Sequence, residues 1–221
     1  MIKTNKISDC VVFSKTKESF GGFSNMSPEF PITVGSLEFP TSEHFYQSMK
    51  YVDHPTIQRE IFGEKNPMLM KNKQKKYKSL IRSDWEEVKG IIMESTIHLK
   101  LVCNWIKFGN LLLETGNKTI VELSKRDPYW GMILVKGSDT ILEGENQLGE
   151  LLMNLRSKLW INETRTELRS WNPEPNLRLS FGGWELNTVK VDQKYMEVGE
   201  RSFRYLMDKH LPPSSSLGLA A

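Results

Sequence analysis

The stretch "SDWEEVKGIIMESTIHLKLVCNWI", Ser83 to Ile106, decides how this chain is read. Ser83 followed by Glu86 has capping-box spacing, in which the serine accepts from an early backbone amide and the glutamate reaches back to the cap. Val88, Ile91, Ile92, Ser95, Leu99 and Val102 then form one largely apolar stripe, so a long amphipathic helix is predicted. On its N-terminal side, Phe13 to Phe39 is rich in Gly, Ser, Pro and aromatic residues, with the short runs "ITV" and "LEF" split by "GS", which is strand-and-turn patterning. After Thr41 the period changes. Phe45, Met49 and Val52 recur at helical spacing, "NPMLMKNKQKKY" continues as a second helix, and Pro55 and Pro67 mark the breaks.

On the C-terminal side a helical piece runs to "LLLETG" with Gly116 as its stop, "KTIVEL" reads as a short strand, and "ENQLGELLMNLRSKLW" places Leu148, Leu151, Leu152, Leu155 and Leu159 on one helical face. Beyond Trp160 the composition turns polar and proline-containing, before "WELNTVKV" and "ERSFRYLMDKHL" suggest a strand and a helix. "SFGGF" at Ser19 and "SFGGW" at Ser180 are alike, but no wider repeat supports them. The expectation is an α+β fold: a mainly helical single domain around a small β-sheet over residues 1–160, a C-terminal extension of open role over 161–210, and a flexible tail at 211–221.

A chain of 221 residues with six tryptophans and ten phenylalanines can bury one sizeable core. The net charge of +3 permits a polyanionic partner without requiring one. Cys10 and Cys103 are too few and too far apart for a disulfide framework or a zinc cluster. No run approaches the roughly 18 apolar residues of a membrane span, and no apolar signal core opens the chain. These features read as a soluble, cytoplasmic protein without a membrane partner.

Chemistry has few carriers here. His44, His54, His98 and His210 show no ligand spacing, so no metal is expected, and neither "GxxxxGK" nor a strand-borne "GxGxxG" occurs. Between Glu64 and Asp84 lie Lys71, Lys73, Lys75, Lys76, Lys78 and Arg82 without an acidic residue; such a run is either a solvated face or a phosphate-attracting surface. Glu43 falls in a first helical turn, where the partial positive charge favours a carboxylate, as a reagent or simply as a helix-start acid. In "VELSKRDPYWG", Glu122 ends a strand and Asp127 starts a turn closed by Trp130 and Gly131. An acid, an aromatic face and a glycine on one loop make ordinary turn chemistry or a pocket wall.

Five blocks carry a resemblance: "FSN" (Phe23 to Asn25), "FPTSEHFYQSMK" (Phe39 to Lys50), "IRSDWEEVK" (Ile81 to Lys89), "LLLETGNKTIVELSKRDPYWG" (Leu111 to Gly131) and "GENQLGELLMNLR" (Gly144 to Arg156). In this order they resemble the NADAR family of YbiA-like N-glycosidases. The resemblance implies hydrolysis of an N-glycosidic bond to an ADP-ribosyl or ribosyl-phosphate unit, without a cofactor. The substrate is either ADP-ribosyl-guanine in nucleic acid, put first because of the basic run, or a small phosphorylated intermediate of riboflavin synthesis. A non-catalytic ADP-ribose-binding module and a basic interaction protein are the other readings.

The resemblance places catalysis on Glu43, Asp127 and Glu122, with Glu43 as the principal anion and Asp127 as its partner. It places substrate binding on Asn25, Lys50, Arg82, Trp85, Trp130, Gly131, Asn146 and Gly149. The segment "MILVKGSDTILEGENQLG" after Trp130-Gly131 is longer and more apolar than the family's usual turn and is expected to reshape the pocket. Oligomeric state is left open.

Overall fold

The computed structural model describes residues 2–210, so the tail expected at 211–221 lies outside the described residues. The chain opens with strands β1 (Lys3–Lys6) and β2 (Cys10–Phe13), then a hairpin of β3 (Ile32–Val34) and β4 (Leu37–Phe39). Five helices follow: α1 (Ser42–Ser48), α2 (Pro55–Phe62), α3 (Pro67–Lys73), α4 (Trp85–Cys103) and α5 (Trp105–Leu113). Next come β5 (Thr119–Glu122), β6 (Ile133–Leu134), β7 (Ile141–Gly144) and α6 (Gln147–Trp160). The C-terminal part comprises α7 (Asn162–Glu167), β8 (Ser170–Trp171), β9 (Ser180–Phe181), β10 (Trp184–Glu185), β11 (Val189–Lys190) and α8 (Gln193–His210). The α+β class with small sheets is the one expected, as one domain with a C-terminal helical extension.

α4 is the axis of the core, and it is buried more widely than a single stripe. Ile92, Met93, Thr96, Ile97, Leu99, Lys100, Leu101 and Val102 are all buried, whereas Ile91, assigned to the apolar face, is exposed. The capping box does not form. Asp84 takes the cap position without a side-chain cap hydrogen bond, because its carboxylate accepts from Arg82 Nε at 2.5 Å and Nη2 at 2.8 Å. A guanidinium fork is a stronger partner than an amide one turn away.

Two further segments differ from the sequence reading for local reasons. Pro55 opens a helix instead of marking a gap: at the first helical position its missing N–H costs nothing, and Ile57 and Ile61 then anchor α2 in the core. The second predicted helix is split. Asn66 Oδ1 accepts from the amides of Met68 and Leu69 to start α3, but residues Gln74–Leu80 tighten into 3₁₀ turns.

Two sheets position the site. β2 runs parallel to β5 with Phe13 opposite Glu122, and β7 lies between β1 and β6 in a separate antiparallel sheet. The long segment after Gly131 is therefore a hairpin whose outer strand is covered by the N-terminal strand. Residues 161–210 share the apolar core. Trp171 is buried with its Nε1 donating to Ser95 Oγ at 2.9 Å, and the Phe203 ring lies 5.4 Å from that of Trp105. Gly109 lets α8 approach α5 so closely that a Cβ there would collide with Phe203. "SFGGF" and "SFGGW" fold differently: the first holds a buried 3₁₀ turn, the second the β9–β10 hairpin with Gly182 and Gly183 at positive φ.

Candidate active site

α1 begins where Thr41, in extended conformation, accepts the amide of His44 on its side chain. That cap uses His44 as well. The imidazole is buried, with Nδ1 2.7 Å from Thr41 Oγ1 and Nε2 2.7 Å from the Glu64 carbonyl oxygen. A carbonyl only accepts, so Nε2 carries the proton and the threonine hydroxyl donates to Nδ1. Both ring nitrogens are engaged, and burial lowers the imidazole's pKa. His44 is thus scaffold, and its neighbour is turned elsewhere.

Glu43 occupies the first turn, 5% exposed, and its amide donates to the Asn25 carbonyl at 2.8 Å. Its Oε1 accepts from Gln47 Nε2 at 2.8 Å and lies 3.4 Å from Lys71 Nζ. Gln47 is one turn along the same helix face, whereas Lys71 arrives from α3. The lysine's pKa is raised, chiefly by Glu43.

Glu122 closes β5 at the other side of the hollow. Its half-buried carboxyl is pushed up to about 7, first by loss of solvent, then by the negative charges of Glu43 and Asp127 against the opposing pull of Lys71. Its carbonyl accepts the amide of Met132 at 2.8 Å, and a Cβ on Gly131 would strike that same carbonyl. Gly131 therefore lets the Asp127–Trp130 loop fold down onto the strand. Asp127 shapes that loop: its Oδ1 accepts the amides of Tyr129 at 3.1 Å and Trp130 at 3.0 Å.

These elements enclose a cavity of about 550 Å³. Of the residues nominated from sequence, Glu43, Glu122, Asp127, Asn25, Lys50, Trp85 and Trp130 line it. Trp85 and Trp130 flank Tyr46, with ring centroids 5.1 Å and 5.9 Å from the tyrosine ring, and make an aromatic wall. Lys50 Nζ lies 5.1 Å from the Trp85 centroid, and burial lowers its pKa. The α-helix has ended at Ser48 by then, so Lys50 is brought in by the following 3₁₀ turn and not by continued helix.

Four nominated residues are not brought to the cavity lining. Arg82, proposed to face phosphate, is folded inward, donating to Asp84 and, through Nη1 at 2.8 Å, to the Leu177 carbonyl. Asn146 is buried in a left-handed conformation, where its Nδ2 donates to the Ile120 carbonyl at 2.8 Å. Gly149 sits against that same carbonyl, at a spot where a Cβ would not fit. Together Asn146 and Gly149 seat α6 on β5, and Gly131 acts one step behind Glu122. The β6–β7 hairpin contributes no lining residue either, so the longer segment mostly extends the sheet and reaches the cavity wall only at Leu148, where α6 begins.

Sequence reasoning missed Tyr46, Gln47, Glu86, Lys89 and Lys71 as wall residues. The i, i+4 relation of Gln47 to Glu43 was a signal for one of them; nothing local pointed Lys71 at Glu43.

The NADAR domain profile matches residues 12–160, the stretch that builds every wall of this cavity. The chain belongs to the NADAR family. This NADAR chain is 33% identical over 151 residues to N-glycosidase YbiA of Escherichia coli, covering 68% of this chain and 89% of that protein. It is 38% identical over 170 residues to the chloroplastic riboflavin biosynthesis protein PYRR of Zea mays, covering 71% of this chain but only 26% of the maize protein's length. The NMR structure of Escherichia coli YbiA shares the fold, with a TM-score of 0.54 and 31% identity over 70% of this chain and 88% of that one.

Among the described residues no helix is long and apolar enough to cross a membrane.

Proposed function

We propose that this NADAR domain is an N-glycosidase that hydrolyses the bond between a ribosyl phosphate and a flat nitrogen leaving group. One observation supports this most: two acids of opposite readiness share a cavity, Glu43 ion-paired to Lys71 and Glu122 with its pKa raised to about 7. Breaking an N-glycosidic bond builds positive charge on the anomeric carbon and negative charge on the departing nitrogen. Glu43 opposes the first charge and takes a proton from the attacking water. The new C–O bond forms as the C–N electron pair leaves with nitrogen, and the proton on Glu122 moves to that nitrogen. This gives Glu122 the place of Glu43's partner that the resemblance put on Asp127, whose Oδ1 is occupied in its own loop.

Trp85, Tyr46 and Trp130 supply flat faces for the leaving group. Lys50 rests over an aromatic ring and has no ion pair among the described residues, which leaves its charge for a phosphate. The basic run favours a small substrate over modified DNA, reversing the initial order. Lys71 pairs with Glu43, Lys73 and Lys76 lie 3.9 Å and 2.8 Å from Glu60 Oε1, and Arg82 is taken by Asp84, so much of the run is already engaged with carboxylates. The relatives named for riboflavin biosynthesis, in maize and in Vibrio vulnificus, accord with a ribosylaminopyrimidine phosphate.

The test is product release from two probes, a ribosylaminopyrimidine 5′-phosphate and an oligonucleotide bearing ADP-ribosyl-guanine. Release of ribose 5-phosphate from the first, little changed by salt and abolished in Glu43→Gln, supports the reading. Faster release from the oligonucleotide, falling steeply with salt, would restore modified DNA as substrate. If neither probe is cut while wild type and Glu43→Gln bind ADP-ribose equally, the domain is a binding module.

A further inference from the structure

Lys100 has no part in the chemistry above, yet it is 0% exposed and no carboxylate pairs with it among the described residues. Burial alone pulls its pKa down to about 7. A lysine held this way is costly, and so its partners matter. Its Nζ lies over the rings of Phe108 and Phe30, 4.7 Å and 5.3 Å from their centroids, and donates to the carbonyls of Gly22 at 2.6 Å and Ser24 at 3.1 Å.

Those carbonyls belong to the strap that ends at Asn25, and the Asn25 carbonyl receives the amide of Glu43 at 2.8 Å. Seven residues before Lys100 on α4, Met93 Sδ accepts from Asn25 Nδ2 at 3.0 Å and pins the same strap a second time. A neutral amine retains two donors, which matches the two carbonyls, so this anchor does not require the charge.

We propose that Lys100 is a positioning residue: from α4 it fixes the Gly22–Asn25 strap, and through the Asn25 carbonyl it sets where the Glu43 carboxylate stands. This rests on the reading of Glu43 as the catalytic anion, and the two are separable by experiment.

Lys100→Met removes both donors while keeping an unbranched apolar stem. Hydrogen exchange of the Glu43 amide, read without any substrate, should accelerate about tenfold or more, while amides in the α5–α8 pair are unchanged. With a ribosylaminopyrimidine 5′-phosphate, kcat should fall about tenfold as the carboxylate is misplaced, and KM should rise by no more than about threefold, since of the cavity walls only the Ser24–Asn25 side moves with the strap. Lys100→Gln, which keeps one amide donor, should fall between, and it carries the comparison if the methionine variant does not fold. Unchanged exchange at Glu43 in these variants overturns the inference, as does an equal loss across all core amides, which would make Lys100 merely structural. An inactive wild type would refute the functional reading and leave the exchange result to decide this one.

Discussion

The cavity and the α5–α8 contact are built on opposite principles. Around Glu43, charges of like sign are held together in partial burial: Glu122 is pushed towards protonation first by loss of solvent and then by Glu43 and Asp127, and Lys50 is desolvated over an indole. Where α8 meets α5, the contact is mainly geometric fit, with Phe203 over Gly109 and the Trp105 indole against Gly199, beside one neutral hydrogen bond from Ser202 Oγ to Asn110 Oδ1. One region spends stability on poised charge, and the other supplies it through close packing. Variants in the first should therefore lose activity without losing the fold, and variants in the second should do the reverse.

The largest effect is expected at Glu43. Glu43→Gln should lower kcat by about 10³-fold, since a neutral amide neither opposes the anomeric charge nor takes a proton from water. Its thermal midpoint should hold or rise, and a parallel fall in both would break the contrast between the regions.

At Glu122 the sign follows from its raised pKa. The folded state holds the proton more tightly than the unfolded chain, so this group's contribution is complete below the ordinary value of 4.5 and is lost as pH rises through about 7. Glu122→Gln should thus be more stable than wild type by on the order of 2 kcal/mol at pH 8 and no more stable at pH 4. Urea unfolding at the two pH values measures it. A gain of equal size at both would remove the titration from the account.

Gly109→Val reverses the pattern. A side chain forced against Phe203 should cost about 2–3 kcal/mol, seen as a lower midpoint of thermal unfolding, while kcat per folded molecule stays within about twofold. The smallest effect belongs to the surface ion pairs. Lys73→Ala with Lys76→Ala should change stability by less than about 1 kcal/mol and activity on a small phosphate by less than twofold. A large loss on modified DNA alone would reopen that substrate.

How much of this was legible depends on the range of the interaction. Val88 to Val102 and Leu148 to Leu159 announced α4 and α6 because helical periodicity is written in neighbouring letters. The hairpin around Gly35 and the β5 strand were equally local. The burial of Met93 and Ile97 outside that stripe was not, since Met93 meets Asn25 at the cavity and Ile97 lies beside Leu168 and Trp171 of the extension.

The same limit governs the site. Glu43, Glu122 and Asp127 were named from motifs, but which acid keeps its proton depends on desolvation and on Lys71, a residue from another helix. Arg82 looked free for phosphate because its partners are Asp84, which the sequence presents beside a helix start without marking the contact, and the Leu177 carbonyl, on a segment 95 residues away. Asn146 and Gly149 looked like ligand contacts, yet their shapes answer to the Ile120 carbonyl. The hairpin segment after Gly131 gave no sign that the N-terminal strand would hold it as part of a sheet.

The central claim is that Glu43 and Glu122 divide the acid and base work of one hydrolysis. The pH dependence of kcat/KM for a ribosylaminopyrimidine 5′-phosphate, in wild type and in Glu122→Gln, tests it most directly. Wild type should lose activity about tenfold per pH unit above about pH 7, as the acid gives up its proton, and the variant should be slower by about 10²-fold and lack that limb. A descending limb that persists unchanged in Glu122→Gln would contradict the account.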